Sequence, residues 1–590
     1  MRHSVYQDRI NTLIATAVAL KSKDKSYSIF RLVFFITAVG LSIFLVSLGW
    51  LYTIACAIIS LVLFSRLLKH HGTIVKERKL TEALLDLNNK EIKSLDNDHS
   101  RFANGNRYHD DKHPYTTDMD VFGDHSIFQM LNRASTIFGE NKLSEVLTNR
   151  LAKNDIVNYQ DASQELESKL DWRQRLYGLG KLDIAEHHDY KGLERWIHAD
   201  NPLTISKLLV YLCVLFCWVL FIALLFYGVP FMGALLAFLP NVLLSYRNNK
   251  PITQIHTLLD RNEKYIKPYA DIVSFLETSE FNSAILKSLK SNFSINNGIA
   301  SDKLRSLASH LKQLDIRTNF FGFLFCYGFL WDHIYAMKVE DWKSENKDSL
   351  FKWLETIGEY EYISSIANFS FQNPEFCYPT LSDNPELRGL RMGHPLLHYQ
   401  QRVVNDFSMK TQKHIKIVTG SNMGGKSTFL RTLGVNMILA YTGSRVCAKE
   451  LTLPYLRLMS SMRTTDALKE NTSSFYAELK RLKMILDEVK GSDDVFFLLD
   501  EILKGTNSND RHNGAKAMIK QMIANNGSGL VSTHDLELGE MIKELPEEID
   551  NICFEVNVEG EELVFDYKIK NGISKSFNAT HLMRNIGIEI

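Results

Sequence analysis

Two stretches of this chain carry no charge, and they constrain the fold before anything else is read. Leu32 to Ser65 runs for 34 residues and Leu208 to Tyr246 for 39 without an Asp, Glu, Lys or Arg. As one helix the first would be ~51 Å long at 1.5 Å per residue, against a hydrocarbon core of about 30 Å. Each run is too long for one crossing and suits a there-and-back pair of short helices. Helix breakers lie where the turn is needed: Gly49 beside Trp50 in the first run, Gly228 and Pro230 in the second. The alternative, a pair of buried core helices, seldom stays free of charge for so long. A cleaved leader is excluded, because its apolar segment would be far shorter.

Basic residues flank only the outer ends of these runs: Lys21, Lys23, Lys25 and Arg31; Arg66 and Lys69; Lys207; Arg247 and Lys250. By the positive-inside rule both termini and all soluble parts are expected in the cytoplasm, with the chain a multi-pass protein of the inner membrane. A third apolar stretch, Phe320 to Trp331, has only twelve residues and reads as a core helix instead of a span.

The 590 residues balance 68 basic against 68 acidic side chains, so binding of nucleic acid would need a local patch. The seven cysteines form no C-x-x-C pair, which argues against structural zinc and for a reducing compartment. His109 and His113 sit in a polar loop, Asn97 to Asp120, without the regular spacing of a metal site.

Ile415 to Leu430 reads IKIVTGSNMGGKSTFL. A β-branched strand runs into Gly420-Ser421-Asn422-Met423-Gly424-Gly425-Lys426-Ser427 and then into a helical pattern. This is G-x-x-x-x-G-K-S in the right context for a phosphate-binding loop. Glycines let backbone N–H groups curl toward phosphate oxygens. Lys426 can reach the β- and γ-phosphates of ATP, Ser427 can ligate Mg²⁺, and the helix presents its positive end.

Further on, the apolar strand Val495 to Leu499 delivers Asp500 and Glu501 at its C-terminal end. Asp500 is suited to the Mg²⁺ shell and Glu501 to orienting or deprotonating the attacking water. A strand from Gly529 to Ser532 ends in Thr533-His534-Asp535, where His534 could donate to the γ-phosphate. Between them, Ser473 or Ser474 would cap a helix with Phe475, Leu479, Leu482 and Leu486 on its apolar face. Such a helix start is a second phosphate-seeking device, and it need not face the loop of its own chain.

GSNMGGKSTFLRTLGVNMILAYTGSRVCA, NTSSFYAEL, LLDEILKGTNSND and STHDLEL together resemble the ATPase of the MutS DNA mismatch-repair family. The likeness runs from about Gly393-His394-Pro395 to Gly587 and is most specific over Asn422 to Thr428. A weaker one covers Ser126 to Ile197. The resemblance implies an ABC-type ATPase that works as a homodimer. Asn422 and Lys426 would contact phosphates, Ser427 and Asp500 would hold Mg²⁺, Glu501 would act on water, and His534 would sense the γ-phosphate. Ser473 would complete the partner subunit's site, and the adenine would pack near Val403, Val404 and Tyr567.

The departures from the family are equally informative. Membrane helices take the place where a Phe-x-Glu mismatch-reading domain would be expected. The second run interrupts the helical region that carries the family's lever and DNA clamp. Where the family has Gly-Arg-Gly-Thr-Ser-Thr, this chain has Leu503-Lys504-Gly505-Thr506-Asn507-Ser508. No helix-turn-helix dimerisation tail is expected after Ile590.

The expected fold is therefore an α/β P-loop ATPase domain at the C-terminus, preceded by an all-α core and lever interrupted by transmembrane hairpins. In order these are a cytoplasmic segment 1–27, hairpin 28–68, amphipathic helix and linker 69–125, helical core 126–206, hairpin 207–247, lever 248–373 and ATPase domain 374–590. The expected function is ATP-dependent binding of mismatched or branched DNA at the membrane. The competing readings are a nucleotide-switched membrane scaffold without DNA binding, and an ABC transporter. Against the transporter, no Leu-Ser-Gly-Gly-Gln signature is present.

Overall fold

The structure is a computed structural model describing residues 2–182, 190–259, 262–295, 298–318, 322–421, 424–463, 474–559 and 562–574. Its C-terminal third is built on two sheets. The larger has the order Glu562–Asn571, Ile549–Glu559, His414–Gly420, Ser528–Thr533, Val495–Asp500, Arg457–Ser461. The central pairs are parallel and only the outermost hairpin is antiparallel. Val495–Asp500 and Ser528–Thr533 are buried along their whole length, as strands covered on both faces must be, which accounts for their unbroken apolar pattern. A four-stranded sheet (Thr380–Leu381, Glu450–Leu453, Glu386–Met392, Asn405–Lys410) flanks it.

A 42-residue helix, Trp331–Gln372, joins this domain to the rest. At 1.5 Å per residue it is about 63 Å long. Every residue from Tyr360 to Phe371 is buried. There Glu361 accepts from the backbone N–H groups of Ser135 (2.9 Å) and Thr136 (3.2 Å) and from both their hydroxyls. These donors lie just before helix Ile137–Asn149, whose N-cap is Thr136, so one carboxylate anchors the start of a neighbouring helix. One residue on, the Tyr362 hydroxyl donates to the carbonyl of Thr442, just past the helix that follows the phosphate-binding loop.

Among the described residues three helices are long and apolar enough to cross a membrane: Arg2–Leu45, Trp50–Leu95 and Lys207–Phe226. The first two do not match the short helices expected from the sequence. They have 44 and 46 residues and pack as one long hairpin turning at Val46 to Gly49, where Gly49 has φ +134°. The amphipathic stretch around Leu80 to Leu95 is the second half of Trp50–Leu95, since no breaker separates it from the apolar half. Its end is locked into the helical core. Buried Glu91 receives Arg133 through two hydrogen bonds (2.8 and 3.0 Å), together with the amides of Asn368 (3.1 Å) and Gln372 (2.8 Å).

The second apolar run goes out as Lys207–Phe226 and returns through Phe231–Ala234, a 3₁₀ turn at Leu235–Phe238 and Leu239–Leu259. The third stretch also departs from expectation. Its helix, Gly322–Phe329, is not in the core: Phe323 and Leu324 are 53% and 54% exposed.

Candidate nucleotide site

Three parallel strands end side by side and bring the candidate groups together. His414–Gly420 leads into the loop, Val495–Asp500 carries Asp500 and Glu501, and Ser528–Thr533 between them carries His534. In a sheet of this type the carboxyl ends of the strands form the ligand crevice.

The loop's backbone depends on two glycines. Gly420 has φ +141°, and a Cβ there would lie 2.5 Å from the carbonyl oxygen of Phe554. Gly425 has φ +103° and precedes helix Lys426–Tyr441. A Cβ at Gly425 would lie 3.0 Å from the ring of Tyr567. Gly424 N–H donates to Ser421 at 3.1 Å, closing the curve. Asn422, Met423 and Ser473 lie outside the described residues.

Lys426 is 1% exposed, and its ammonium donates to the carbonyls of Gly420 (2.7 Å) and Ser421 (3.0 Å). Burial lowers its pKa to about 8, although Glu501 and Asp500 oppose the shift. The Ser421 hydroxyl is buried without a partner among the described residues. Ser427 and Thr428 occupy the first turn of the helix, half-buried and exposed. Asp500 is buried and accepts from the Ser532 hydroxyl.

Glu501 is held from two sides. It pairs with His534 Nε2 and, at 3.1 Å, with Lys504 Nζ. The His534 hydrogen bond leads the shift that brings the Glu501 pKa down to about 2, with Lys504 adding to it. His534 thus rests on Glu501 in this structure.

On the far side of the loop, Asn405 fastens the last strand to the smaller sheet. Its amide donates to the carbonyl of Tyr567 and its oxygen accepts from the N–H of Ile569, both at 3.0 Å. Lys568 Nζ donates to the carbonyl of Val404 at 2.6 Å. Val404 and Tyr567 are therefore neighbours beside Gly425, and Val403, one residue earlier, is half-buried.

Two groups escaped sequence reasoning. Lys504 was visible only as part of a departure from the family pattern, with no hint of its partner. Glu478 is nearly buried, and its carboxylate accepts from the N–H of Leu503, tying helix Ser474–Gly491 to the loop after Glu501. Leu503 itself has φ +62°, at the position where the family's glycine would adopt such a turn without strain.

The arrangement fits a nucleotide with its divalent cation. The loop leaves no room for side chains at its bends, its lysine is buried against carbonyls, the Ser421 hydroxyl is buried with no partner among the described residues, and two carboxylates stand at the end of the strand next but one.

Comparison with known proteins places this region. The family model of MutS domain V matches residues 416–588. A DNA mismatch repair protein MutS from Thermotoga sp. (strain RQ2) is 30% identical over 272 residues, 44% of this chain and 32% of that protein. The proteins of the same name from Thermotoga petrophila and Listeria welshimeri are each 30% identical over 42% of this chain, covering 30% and 29% of their own lengths. The match thus spans about a third of the curated relatives. Over residues 416–588 the chain is similar to MutS domain V.

Proposed function

We propose that this chain is a membrane-integrated, Mg²⁺-dependent ATPase that works as a homodimer and couples nucleotide state to DNA binding. The observation that carries the ATPase reading is the convergence of Lys426, Asp500, Glu501 and His534 at neighbouring ends of parallel strands. The Lys426 ammonium exchanges its two carbonyls for phosphate oxygens, and the loop's N–H groups, Asn422 among them, bind the remainder. Ser427 and Asp500 hold Mg²⁺, which when bound neutralises phosphate charge. Glu501, kept ionised by His534 and Lys504, orients the attacking water and accepts its proton. Tyr567, Val404 and Val403 flank the base, and Ser473 serves the partner's site.

Membrane integration rests on the three long apolar helices and on the basic residues at their outer ends. DNA binding rests on the names of the relatives. A second reading, a nucleotide-switched membrane scaffold, is favoured by one observation: Trp331–Gln372 packs at its start against the second hairpin, leaving that end tied.

The test is ATP turnover of detergent-purified protein with and without mismatched and branched DNA. Turnover abolished by Lys426→Ala and stimulated by DNA supports the first reading; turnover indifferent to DNA supports the scaffold. Turnover that survives Lys426→Ala refutes both. For the dimer, Lys426→Ala and Ser473→Ala subunits are mixed, and partial recovery in the heterodimer is expected. No recovery in proven heterodimers would refute completion across the interface.

A further inference from the structure

We infer that Gly322–Leu330 is a re-entrant membrane segment, entering the bilayer beside the second hairpin and turning back within one leaflet, so that its partner is the acyl-chain region of the lipid. The inference rests on the membrane reading proposed above and extends it to a stretch too short to span.

The first observation is the surface. Phe323, Leu324, Phe325, Tyr327 and Phe329 are between 39% and 54% exposed within seven residues. A water-facing patch of this kind is rare on a soluble protein. This one is continuous with the exposed apolar hairpin, because the rings of Trp218 and Phe329 meet at a tilt with centroids 5.0 Å apart and Asn241 bonds to the same turn.

The second observation is depth. Trp218 Nε1 donates to the carbonyl of Gly328 at 3.0 Å. Asn241 Nδ2 donates to the carbonyls of Tyr327 (2.9 Å) and Gly328 (3.3 Å). Trp218 lies eleven residues in from Lys207, and Asn241 six in from Arg247. At 1.5 Å per residue the tip is about 16 Å below one basic flank and about 9 Å below the other, short of a ~30 Å core. A third ruler agrees. Lys207 pairs with Asp341 at 2.6 Å, and Asp341 lies eleven residues past Leu330 on the continuous long helix, again about 16 Å. At the mouth, Arg317 donates to Asn249 (2.8 Å) and Thr253 (3.2 Å), just beyond the basic end of the return leg.

The third observation is how polar groups are handled. A short helix ends in free carbonyls, which water would satisfy and lipid cannot. Here two of them are met by Trp218 and by Asn241, which is 0% exposed. The chain then reverses at buried Leu330, φ +49°, with no open loop. The ionisable residues next in line, Asp332 and His333, are buried within the protein and bonded to each other at 2.9 Å, as polar groups at membrane depth are.

The test uses the full chain in phosphatidylethanolamine–phosphatidylglycerol vesicles with a clickable acyl chain. Photoreactive benzoylphenylalanine replaces Phe323, Leu324, Leu215 on the outgoing leg, or Tyr399 on the soluble domain, one at a time. All four side chains are more than half exposed, and retained ATP turnover marks a folded protein. Lipid adducts are expected at 215, 323 and 324 and not at 399. Adducts at 215 with none at 323 and 324, or a cross-linked second copy there instead, overturn the inference while the membrane reading stands. No adduct at 215 removes the membrane reading and this inference with it.

Discussion

Val495–Leu499 and Lys207–Phe226 are made of the same residue types and meet opposite surroundings. In the strand every side chain is 2% exposed or less. In the helix Leu208, Leu212, Leu215, Phe216 and Val219 are all above 50% exposed. The strand buries itself against helices and neighbouring strands of its own chain. The helix leaves its apolar surface to something outside the chain. Apolar sequence alone states only that water is avoided. Whether the avoidance is met by protein or by lipid depends on run length and on whether polar faces interleave, as Lys480, Arg481 and Lys483 interleave on helix Ser474–Gly491.

The most severe way to break this comparison is to ask where the hairpins reside. The protein should stay with the membrane through carbonate and high salt. Protease-accessible tags at residues 1 and 590 should be reached only from the cytoplasm, and a tag at Gly49 or Gly228 only from the other side or not at all. Carbonate-extracted protein would place the exposed apolar surface against protein. A finer version puts Arg at Leu215. In the bilayer centre that costs about 2.5–3.5 kcal/mol of insertion, whereas on a water-facing surface it would stay within about 0.5 kcal/mol. Membrane integration of the Leu215→Arg chain, read by glycosylation mapping, separates the two.

Next in size is the loss of turnover on the strand side. Lys426→Ala removes the buried ammonium, and Glu501→Gln removes the proton acceptor while leaving the pocket's shape. Each should lower ATP turnover by on the order of 10²-fold or more, with nucleotide binding kept only in Glu501→Gln. A Glu501→Gln protein with parent turnover would end the role assigned to that carboxylate.

The two regions were also unequally legible. The strand–loop–helix around Lys426 and the strand end carrying Asp500 and Glu501 could be placed because each is set by residue types at fixed local spacing. The hairpin turns were legible from Gly49, Gly228 and Pro230. What escaped depends on contacts between distant residues. Leu80 to Leu95 carries its own amphipathic pattern, and nothing in it says that the helix began at Trp50. Phe320 to Trp331 was misread because its length argued against a span, while its exposure follows from Trp218 and Asn241, some ninety to one hundred and ten residues away. Lys504 gains meaning only once Glu501 is seen beside it.

The long helix connects the two regions, and Glu361 tests its seat. Glu361→Ala would strand two backbone N–H groups and two hydroxyls in a dry core, at a cost on the order of 3–5 kcal/mol. Thermal unfolding of the helical part should move down, and amide exchange should rise across Ile137–Asn149. The same truncation at exposed Glu194 should leave both unchanged.

A smaller effect concerns the carboxylate that His534 and Lys504 hold. In the proposed mechanism Glu501 acts ionised, and its pKa of about 2 puts the acid limb of turnover below the range where most proteins are assayed. Removing either partner makes ionisation harder, so the limb should move up in pH. His534→Ala should move it further than Lys504→Ala, because the His534 hydrogen bond is the larger cause. Equal limbs in all three proteins would mean that this carboxylate does not control the profile.

The smallest effect is less than one proton, and it sharpens the contrast between a buried charge awaiting a ligand and an apolar surface awaiting a solvent. Lys426 has its pKa lowered to about 8 by burial, so in the nucleotide-free protein it is mostly charged at pH 7 and mostly neutral at pH 9. A triphosphate beside it favours the charged form and returns the pKa toward its ordinary value near 10.4. Binding at pH 9 must then bring a proton in from solvent, and binding at pH 7 hardly any. By linkage, affinity for ATP should fall as pH rises from 8 to 10, since each bound nucleotide then has to recruit the missing proton. Calorimetric titration of the parent protein with a non-hydrolysable ATP analogue, in buffers of different ionisation enthalpy, reads that uptake directly. Proton uptake should approach one at pH 9, disappear in Lys426→Arg, whose guanidinium stays charged, and be absent at pH 7. Uptake at pH 9 that persists in Lys426→Arg would assign the proton to another group.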